Sequence, residues 1–340
     1  MMGVAEYARL FEMMESADRR ERPCYTANGV RFLKTPRVLT TPGYSAYVKI
    51  SDGCDNRCTY CAIPLIRGGY SSRPFDDIVE ECEALAEGGV TEITLIAQDT
   101  SRYGCDIGDG HYLLPELLER VSAIEKVHWV RVLYCYPDST EDRLLDTIQR
   151  LPKVAPYLDL PLQHIDDDLL RRMNRRGSAD WIKSRIAECR KRGIILRTTM
   201  IVGFPGETDA QFQTLLDFVK EARFERLGAF TYSAEEGTAA AKMPDQIDDA
   251  VKNKRLDQLM MLQQAISMEA NEARVGTECE VLVDGFDEEQ GRFYGRSLLE
   301  APESDGCVWL EADHELTPGE YVRVRITGAD AYDLEGTLIE

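Results

Sequence analysis

A chain of 340 residues, 44% hydrophobic and 29% charged, has room for one large domain with a buried core and a smaller second one. No apolar run approaches the ~18 residues that a membrane span requires. The opening MMGVAEYARLFEMMESADRR reads as a short amphipathic helix without the basic start or cleavage site of a leader, so the expectation is a cytoplasmic protein with no membrane partner. A formal net charge of −20 disfavours nucleic-acid phosphates unless a local basic patch exists, and it suits a basic protein partner or plain solubility.

From residue 44 onward, short apolar runs alternate with helical patterns. The spacing predicts strands over 46–50, 92–97, 128–133, 157–160, 196–202 and 227–232. The first intervening helix begins at Pro74, a favoured first-turn residue, buries Ile78, Cys82 and Leu85, and stops at Gly88-Gly89. Others are expected near 113–124, 140–151, 181–192 and 209–222. Six β/α units imply parallel strands with helical crossovers, and they fit an incomplete barrel better than a closed eightfold one. A longer helix over 248–274 carries Leu256, Leu259, Met260 and Gln263 at helical spacing, and its Met-rich stripe reads as core packing.

After Arg274 the pattern changes to short strands over 279–283, 292–297, 308–311 and 321–327, parted by Asp284-Gly285, Asp305-Gly306 and Pro318-Gly319. The fold class is therefore α/β: a partial (β/α)6 TIM-like barrel followed by a small all-β, OB-like domain. The divisions fall at 1–43, 44–273 and 274–340.

Ten cysteines in so large a chain point to metal or redox chemistry rather than to a disulfide scaffold. Three of them, Cys54, Cys58 and Cys61, stand in KISDGCDNRCTYCAIPLIRG at C-x3-C-x2-C spacing, on the loop after the first strand. That is the rim where β/α barrels carry chemistry. Three thiolates can hold three irons of a 4Fe-4S cluster and leave the fourth open. A structural zinc site would close with a fourth ligand, and the nearest in sequence are Cys82 and Cys105. A ferredoxin would supply a fourth cysteine from a much smaller chain. Cys82 and Cys189 fall on expected helices as small buried hydrophobes. Cys105 and Cys135 could approach the mouth, and Cys24 stands alone. His164, at the end of the fourth strand, faces the pocket or is structural.

These residues resemble the radical S-adenosylmethionine (SAM) superfamily, whose motif is C-x3-C-x-aromatic-C, with Tyr60 in the aromatic position. The resemblance implies that SAM chelates the open iron and is cleaved by one electron to methionine and a 5′-deoxyadenosyl radical that abstracts a substrate hydrogen. The cluster and SAM are then the working groups, and no side-chain general base is needed. Tyr60 would pack near the adenine, or it is an ordinary loop aromatic. Gly203 and Gly206 in TMIVGFPGET resemble the adenine-side motif, or serve a strand-to-helix turn. Gln98 and Asp99 in LIAQDTSRYG occupy the place of the methionine-amine contact, although the usual Gly-Gly-Glu is absent.

Over most of its length the chain is similar to the methylthiotransferases, through AYVKISDGCDNRCTYCAIPLIRG, LYCYPD, YLDLPLQH and LRTTMIVGFPGET, with a β-rich tail in the place of their TRAM domain. One branch, MiaB-like, modifies an adenosine in tRNA. The other, RimO type, methylthiolates the β-carbon of an aspartate in small-subunit ribosomal protein S-twelve. FTYSAEEGTAAAKMPDQI, LMMLQQAIS and AYDLEGTL resemble the latter. Charge gives an independent argument, because residues 274–340 hold five arginines and no lysine against seventeen carboxylates, a net −12, which leaves −8 for residues 1–273. A tail that acidic is a poor clamp for RNA and suits a basic ribosomal protein.

The resemblance also implies a reducing electron donor and a second 4Fe-4S cluster on three cysteines of an N-terminal domain. Only Cys24 precedes the core here, so the chain reads as a fragment or as a variant lacking that cluster. SAM cleavage is then expected, with sulfur insertion impaired. A non-catalytic iron–sulfur protein is the alternative from another class.

Overall fold

The computed structural model describes residues 1–26, 32 and 37–339. The remnant domain expected over 1–43 thus lies partly outside the described residues, as does the end of the tail at 340. A 3-10 segment, Val4–Arg9, leads into α1 (Leu10–Asp18). The core then runs β1 (Ser45–Lys49), β2 (Ser51–Asp52), α2 (Ile63–Arg67), β3 (Ser71–Ser72), α3 (Phe75–Glu87) and β4 (Glu92–Ile96). It continues with α4 (Leu114–Ser122), β5 (Trp129–Val132), α5 (Asp142–Arg150), β6 (Tyr157–Asp159), α6 (Asp167–Arg172) and α7 (Ala179–Lys191). The last elements are β7 (Ile195–Val202), α8 (Asp209–Ala222), β8 (Arg226–Thr231) and α9 (Asp249–Glu272).

The strands pair in parallel in the orders β1-β4-β5 and β6-β7-β8. The two sets join edge to edge, since the Val130 amide donates to Lys153 O at 2.8 Å and the Ala155 amide to Val130 O at 2.8 Å. The Cys135 amide donates to Asp159 O at 2.9 Å. Six parallel strands therefore form one arc, and among the described residues no pairing of β8 with β1 closes it.

Side chains alternate across each strand, and here the two faces differ in kind. Ala46, Val48, Ile93, Leu95, Val130, Val132, Leu158, Leu196 and Met200 face the helices and are buried in one apolar core with Ile78 and Cys82 of α3 and Leu117 and Val121 of α4. Each fully buried Val, Leu, Ile or Met side chain of that set stabilises the fold by about 1.5–3 kcal/mol. The other face turns into the barrel and is mixed, with Tyr47, Lys49, Glu92, Ile96, Arg131, Tyr157, Asp159 and Arg197 in the alternate positions.

The tail forms β9 (Glu278–Asp287), β10 (Arg292–Arg296), β11 (Val308–Glu311), β12 (Tyr321–Ala329) and β13 (Leu334–Leu338), closed in the order β10-β11-β13-β12-β9. Four of these strands were expected. β13 was not, because Glu335 and Gly336 dilute its pattern and it lies parallel to β11. Two short helices, α2 and α6, are also additions to the sequence reading, each too brief to show a period. Pro74 sits at the N-cap of α3 rather than in its first turn.

The small barrel seats on the N-terminal end of the parallel arc. Arg296 makes a paired contact to both Glu92 carboxylate oxygens at 3.0 Å and also reaches Asp284 at 2.7 Å. Arg131, fully buried, donates to Leu298 O at 2.9 Å, and the Tyr157 hydroxyl donates to Asp305 at 2.7 Å. Glu300 accepts from Arg226 at 3.1 Å and from Arg274. Burial pushes the Glu300 carboxyl up, but these guanidiniums outweigh it and hold the group down at about 2.

Candidate active site

At the opposite, C-terminal end of the arc lies a cleft of about 440 Å³, within the size range of small-molecule sites. Cys54, Cys58 and Cys61 line it together, with Tyr60, Gln98, Arg57, Lys49, Tyr134, Tyr136, Gln163 and Arg175. The cysteine loop is held from both sides. Gly53 has φ +75°, and a Cβ there would fall 2.1 Å from Gly69 O, so only glycine lets the two stretches of backbone cross. The Cys54 amide donates to Gly68 O at 3.2 Å, while Asn174 Nδ2 donates to the carbonyls of Asn56 and Arg57 at 3.2 and 2.9 Å.

The thiols differ in setting. Burial pushes Cys54 up to about 11, and burial raises Cys61 as well. Cys58 Sγ lies 2.8 Å from the Tyr136 hydroxyl and 3.9 Å from an Arg175 nitrogen. The Arg175 guanidinium covers the Tyr136 ring at 4.0 Å, and its other nitrogen donates to Pro161 O. Tyr60 is half-buried against Leu169, Met173, Phe204 and Tyr232, and burial raises its phenol.

Among the described residues no three His, Cys, Asp or Glu side chains converge on a single-ion site. A cubane makes a different demand, because each thiolate meets its own iron. Three soft donors along one cleft wall satisfy that. Gln98 supplies a second test of fit, since its Oε1 is buried, lines the cleft and has no hydrogen-bond partner. An unpaired buried acceptor of that kind costs about 1–3 kcal/mol unless a ligand donates to it. Both observations fit a 4Fe-4S cluster with SAM beside it.

Asp99 does not reach the cleft. It is fully buried, Oδ2 accepts from Asn56 at 2.8 Å and Oδ1 from Ser101 at 2.9 Å, so its part is to brace the cysteine loop from behind. Gly203 and Gly206, both at φ +72°, also lie outside the cleft lining. A Cβ would meet the Lys252 side chain at 2.3 Å in the first case and that of Arg172 at 2.5 Å in the second. Their space is taken by protein, and they serve the turn into α8. His164 is buried and structural: Nδ1 accepts from the Asp166 amide at 3.0 Å, which leaves the proton on Nε2 to donate to Glu207 at 3.2 Å. Cys135 is buried in the apolar core, and Cys105 lies beside Arg102.

Sequence reasoning missed Arg57, Tyr134, Tyr136, Gln163 and Arg175. Three of these, Arg57, Tyr134 and Gln163, hold left-handed backbone at φ 51°, 61° and 74°. Such conformations are unfavourable for these residue types and gather at functional sites, but no residue type announces them.

Residues 48–219 match the family model of the radical SAM superfamily, and residues 275–339 match the TRAM domain. The chain belongs to the radical SAM superfamily, among the uS12 methylthiotransferases. It is 48% identical over 302 residues to the ribosomal protein uS12 methylthiotransferase RimO of Caldanaerobacter subterraneus subsp. tengcongensis, covering 88% of this chain and 69% of that one. The RimO of Desulfitobacterium hafniense is 44% identical over 345 residues, covering 100% of this chain and 77% of the relative. Among solved structures, coproporphyrinogen III oxidase from Escherichia coli is similar with a TM-score of 0.47 and 19% identity, over 65% of this chain and 52% of that one. The family's TRAM domain is the closed five-stranded barrel. Among the described residues no helix is long and apolar enough to cross a membrane.

Proposed function

We propose that this chain serves the methylthiolation of the β-carbon of an aspartate in ribosomal protein uS12 by radical SAM chemistry, its own part being SAM cleavage and hydrogen abstraction, with residues 44–273 for the reaction and 274–340 for docking. The observation that carries the reading is the joint placement of three thiols and an unpartnered buried acceptor on one cleft. When bound, a 4Fe-4S cluster on Cys54, Cys58 and Cys61 supplies the electron that splits SAM. Gln98 Oε1 would accept a hydrogen bond from the methionyl ammonium of SAM, and Tyr60 would form an apolar wall beside the adenine. Arg57 has no side-chain partner among the described residues, and it offers a guanidinium to the carboxylate of the target aspartate. Because hydrogen leaves the substrate as an atom, what these residues must provide is position and exclusion of water rather than proton transfer.

The TRAM barrel favours a protein partner over RNA. Each of its five arginines is already paired with a carboxylate: Arg274 with Glu300, Arg292 with Glu335, Arg296 with Glu92 and Asp284, and Arg323 and Arg325 with Glu278. The surplus of acid remains to steer a basic ribosomal protein.

Protein reconstituted anaerobically with iron and sulfide should release 5′-deoxyadenosine from SAM under reducing conditions, and Cys58→Ala should lower the rate by more than a hundredfold. Zinc in place of iron, or no cleavage by an intact cluster, would overturn the reading. In cells lacking the gene, mass spectrometry should find uS12 without its methylthio group. Loss of a modified tRNA adenosine with uS12 unchanged would redirect the substrate to tRNA.

A further inference from the structure

Cys58 differs from the other two thiols in its surroundings. Its Sγ is 2.8 Å from the Tyr136 hydroxyl, a contact in which either atom could donate while the thiol is free. Coordination to a metal removes that choice, because a bound thiolate carries no proton and can only accept. Arg175 adds a second donor 3.9 Å from the same sulfur, with its guanidinium stacked 4.0 Å above the Tyr136 ring. The arrangement is built rather than incidental. Arg175 is buried, with 8% exposure, and has no carboxylate partner among the described residues. Its other terminal nitrogen, Nη2, is fixed on Pro161 O, and the Tyr136 amide is held by Ser101 Oγ at 2.8 Å. Ser101 in turn donates to Asp99 at 2.9 Å, so the brace behind the cysteine loop and the hydroxyl in front of it belong to one network. A buried cation with no counter-ion is expensive unless negative charge arrives beside it. The nearest place for such charge is the sulfur of Cys58.

We propose that Tyr136 and Arg175 are positioning residues that set the reduction potential of the cluster through Cys58, by donating to its sulfur and placing one uncompensated positive charge beside it. This rests on the reading of the three cysteines as cluster ligands. Adding an electron makes the thiolate sulfur a better acceptor and adds negative charge near the guanidinium. Both interactions therefore strengthen on reduction and favour the reduced form. The electron comes from an external low-potential one-electron reductant, no proton is taken up and no bond is broken. The geometry makes Cys58 the ligand at which the protein adjusts electron uptake, with Cys54 and Cys61 lacking any such donor pair among the described residues.

The test is a redox titration followed by electron paramagnetic resonance on reconstituted full-length chain, without SAM turnover as the readout. Tyr136→Phe keeps the ring under Arg175 and removes only the donor. It should make reduction about tenfold less favourable, a fall of ~59 mV for one electron. Arg175→Met should shift the midpoint in the same direction by at least as much, and Arg175→Lys should recover part of it by restoring the charge. If the Arg175 variants fail to fold, Tyr136→Phe decides alone. An unchanged midpoint in Tyr136→Phe with full iron and sulfide content would overturn the proposal. If the unsubstituted chain assembles no cubane, the cluster reading itself fails and the proposal falls with it, an outcome told apart by the iron count.

Discussion

The two ends of the parallel arc are made from the same inward-facing strand positions and use them in opposite ways. At the N-terminal end, Glu92, Arg131 and Arg197 meet Arg296, Leu298 O and Asp305 of the small barrel, so that buried charge is answered by charge or by carbonyl. At the C-terminal end, Gln98 Oε1 stands unpaired and Arg57, Tyr134 and Gln163 keep left-handed backbone. One end spends its polar groups on stability. The other withholds them for a ligand, which is the trade that active sites make against their own fold. Substitutions at the two ends should then separate cleanly, those at the closed end lowering stability and those at the open end lowering binding.

The largest effect belongs to the closed end. Replacing Arg296 by Met leaves Glu92, which is fully buried, without its paired donor, and removal of one partner from a buried pair costs about 3–5 kcal/mol. Urea unfolding should report a loss of that size, with the double variant Arg296→Met, Glu92→Gln recovering most of it. A loss under 1 kcal/mol would show that the two domains are not locked at this point.

Acid sharpens the same contrast. The Glu300 carboxyl is held from 4.5 down to about 2 by Arg274 and Arg226 against the opposing effect of burial. A depressed folded value stabilises the protein fully above the unfolded one and loses that stability as pH falls. Roughly 3 kcal/mol should therefore disappear between about pH 4.5 and pH 2. Glu300→Gln should flatten the curve in this window and leave the shape above pH 6 unaltered. An unflattened acid limb would place the loss elsewhere.

What the sequence disclosed follows the same division. The helix-facing alternates, such as Val48, Leu95 and Leu196, are apolar whatever their partners, so six strands and their helices were legible from local pattern alone. The inward positions were not, because Glu92 becomes sensible only beside Arg296, 204 residues later. The three cysteines were legible because their spacing is local. Tyr136 and Arg175 were not, since they come from loops after β5 and α6 and meet Cys58 only through the curvature of the arc. Asp99 misled for a related reason: it follows Gln98 beyond the end of β4 at Ile96, where the chain already turns, so that Gln98 lines the cleft while Asp99 is buried behind the cysteine loop.

At the open end, Gln98→Met removes the unpaired acceptor and should leave stability unchanged or slightly higher, while weakening SAM binding by about ten- to a hundredfold, the worth of one hydrogen bond to a charged group. Equilibrium dialysis on the reconstituted protein reads the affinity and urea unfolding reads the stability. A stability loss without an affinity loss would reverse the roles assigned to the two ends.

The smallest effect is expected at Tyr134, which lines the cleft at φ 61° and is 49% exposed. A tyrosine held there costs roughly 1 kcal/mol in backbone strain, and glycine would relieve it. Against this stand the entropy that glycine loses on folding, about 0.5–1 kcal/mol, and the little burial that a half-exposed ring gives up. The terms nearly cancel, so Tyr134→Gly should unfold within about 0.5 kcal/mol of the parent chain. Its SAM affinity should still fall, because the ring forms part of the cleft wall. A destabilisation approaching that of Arg296→Met would mean that the open end, too, is held together by what lines it, and the division between the two ends would not stand.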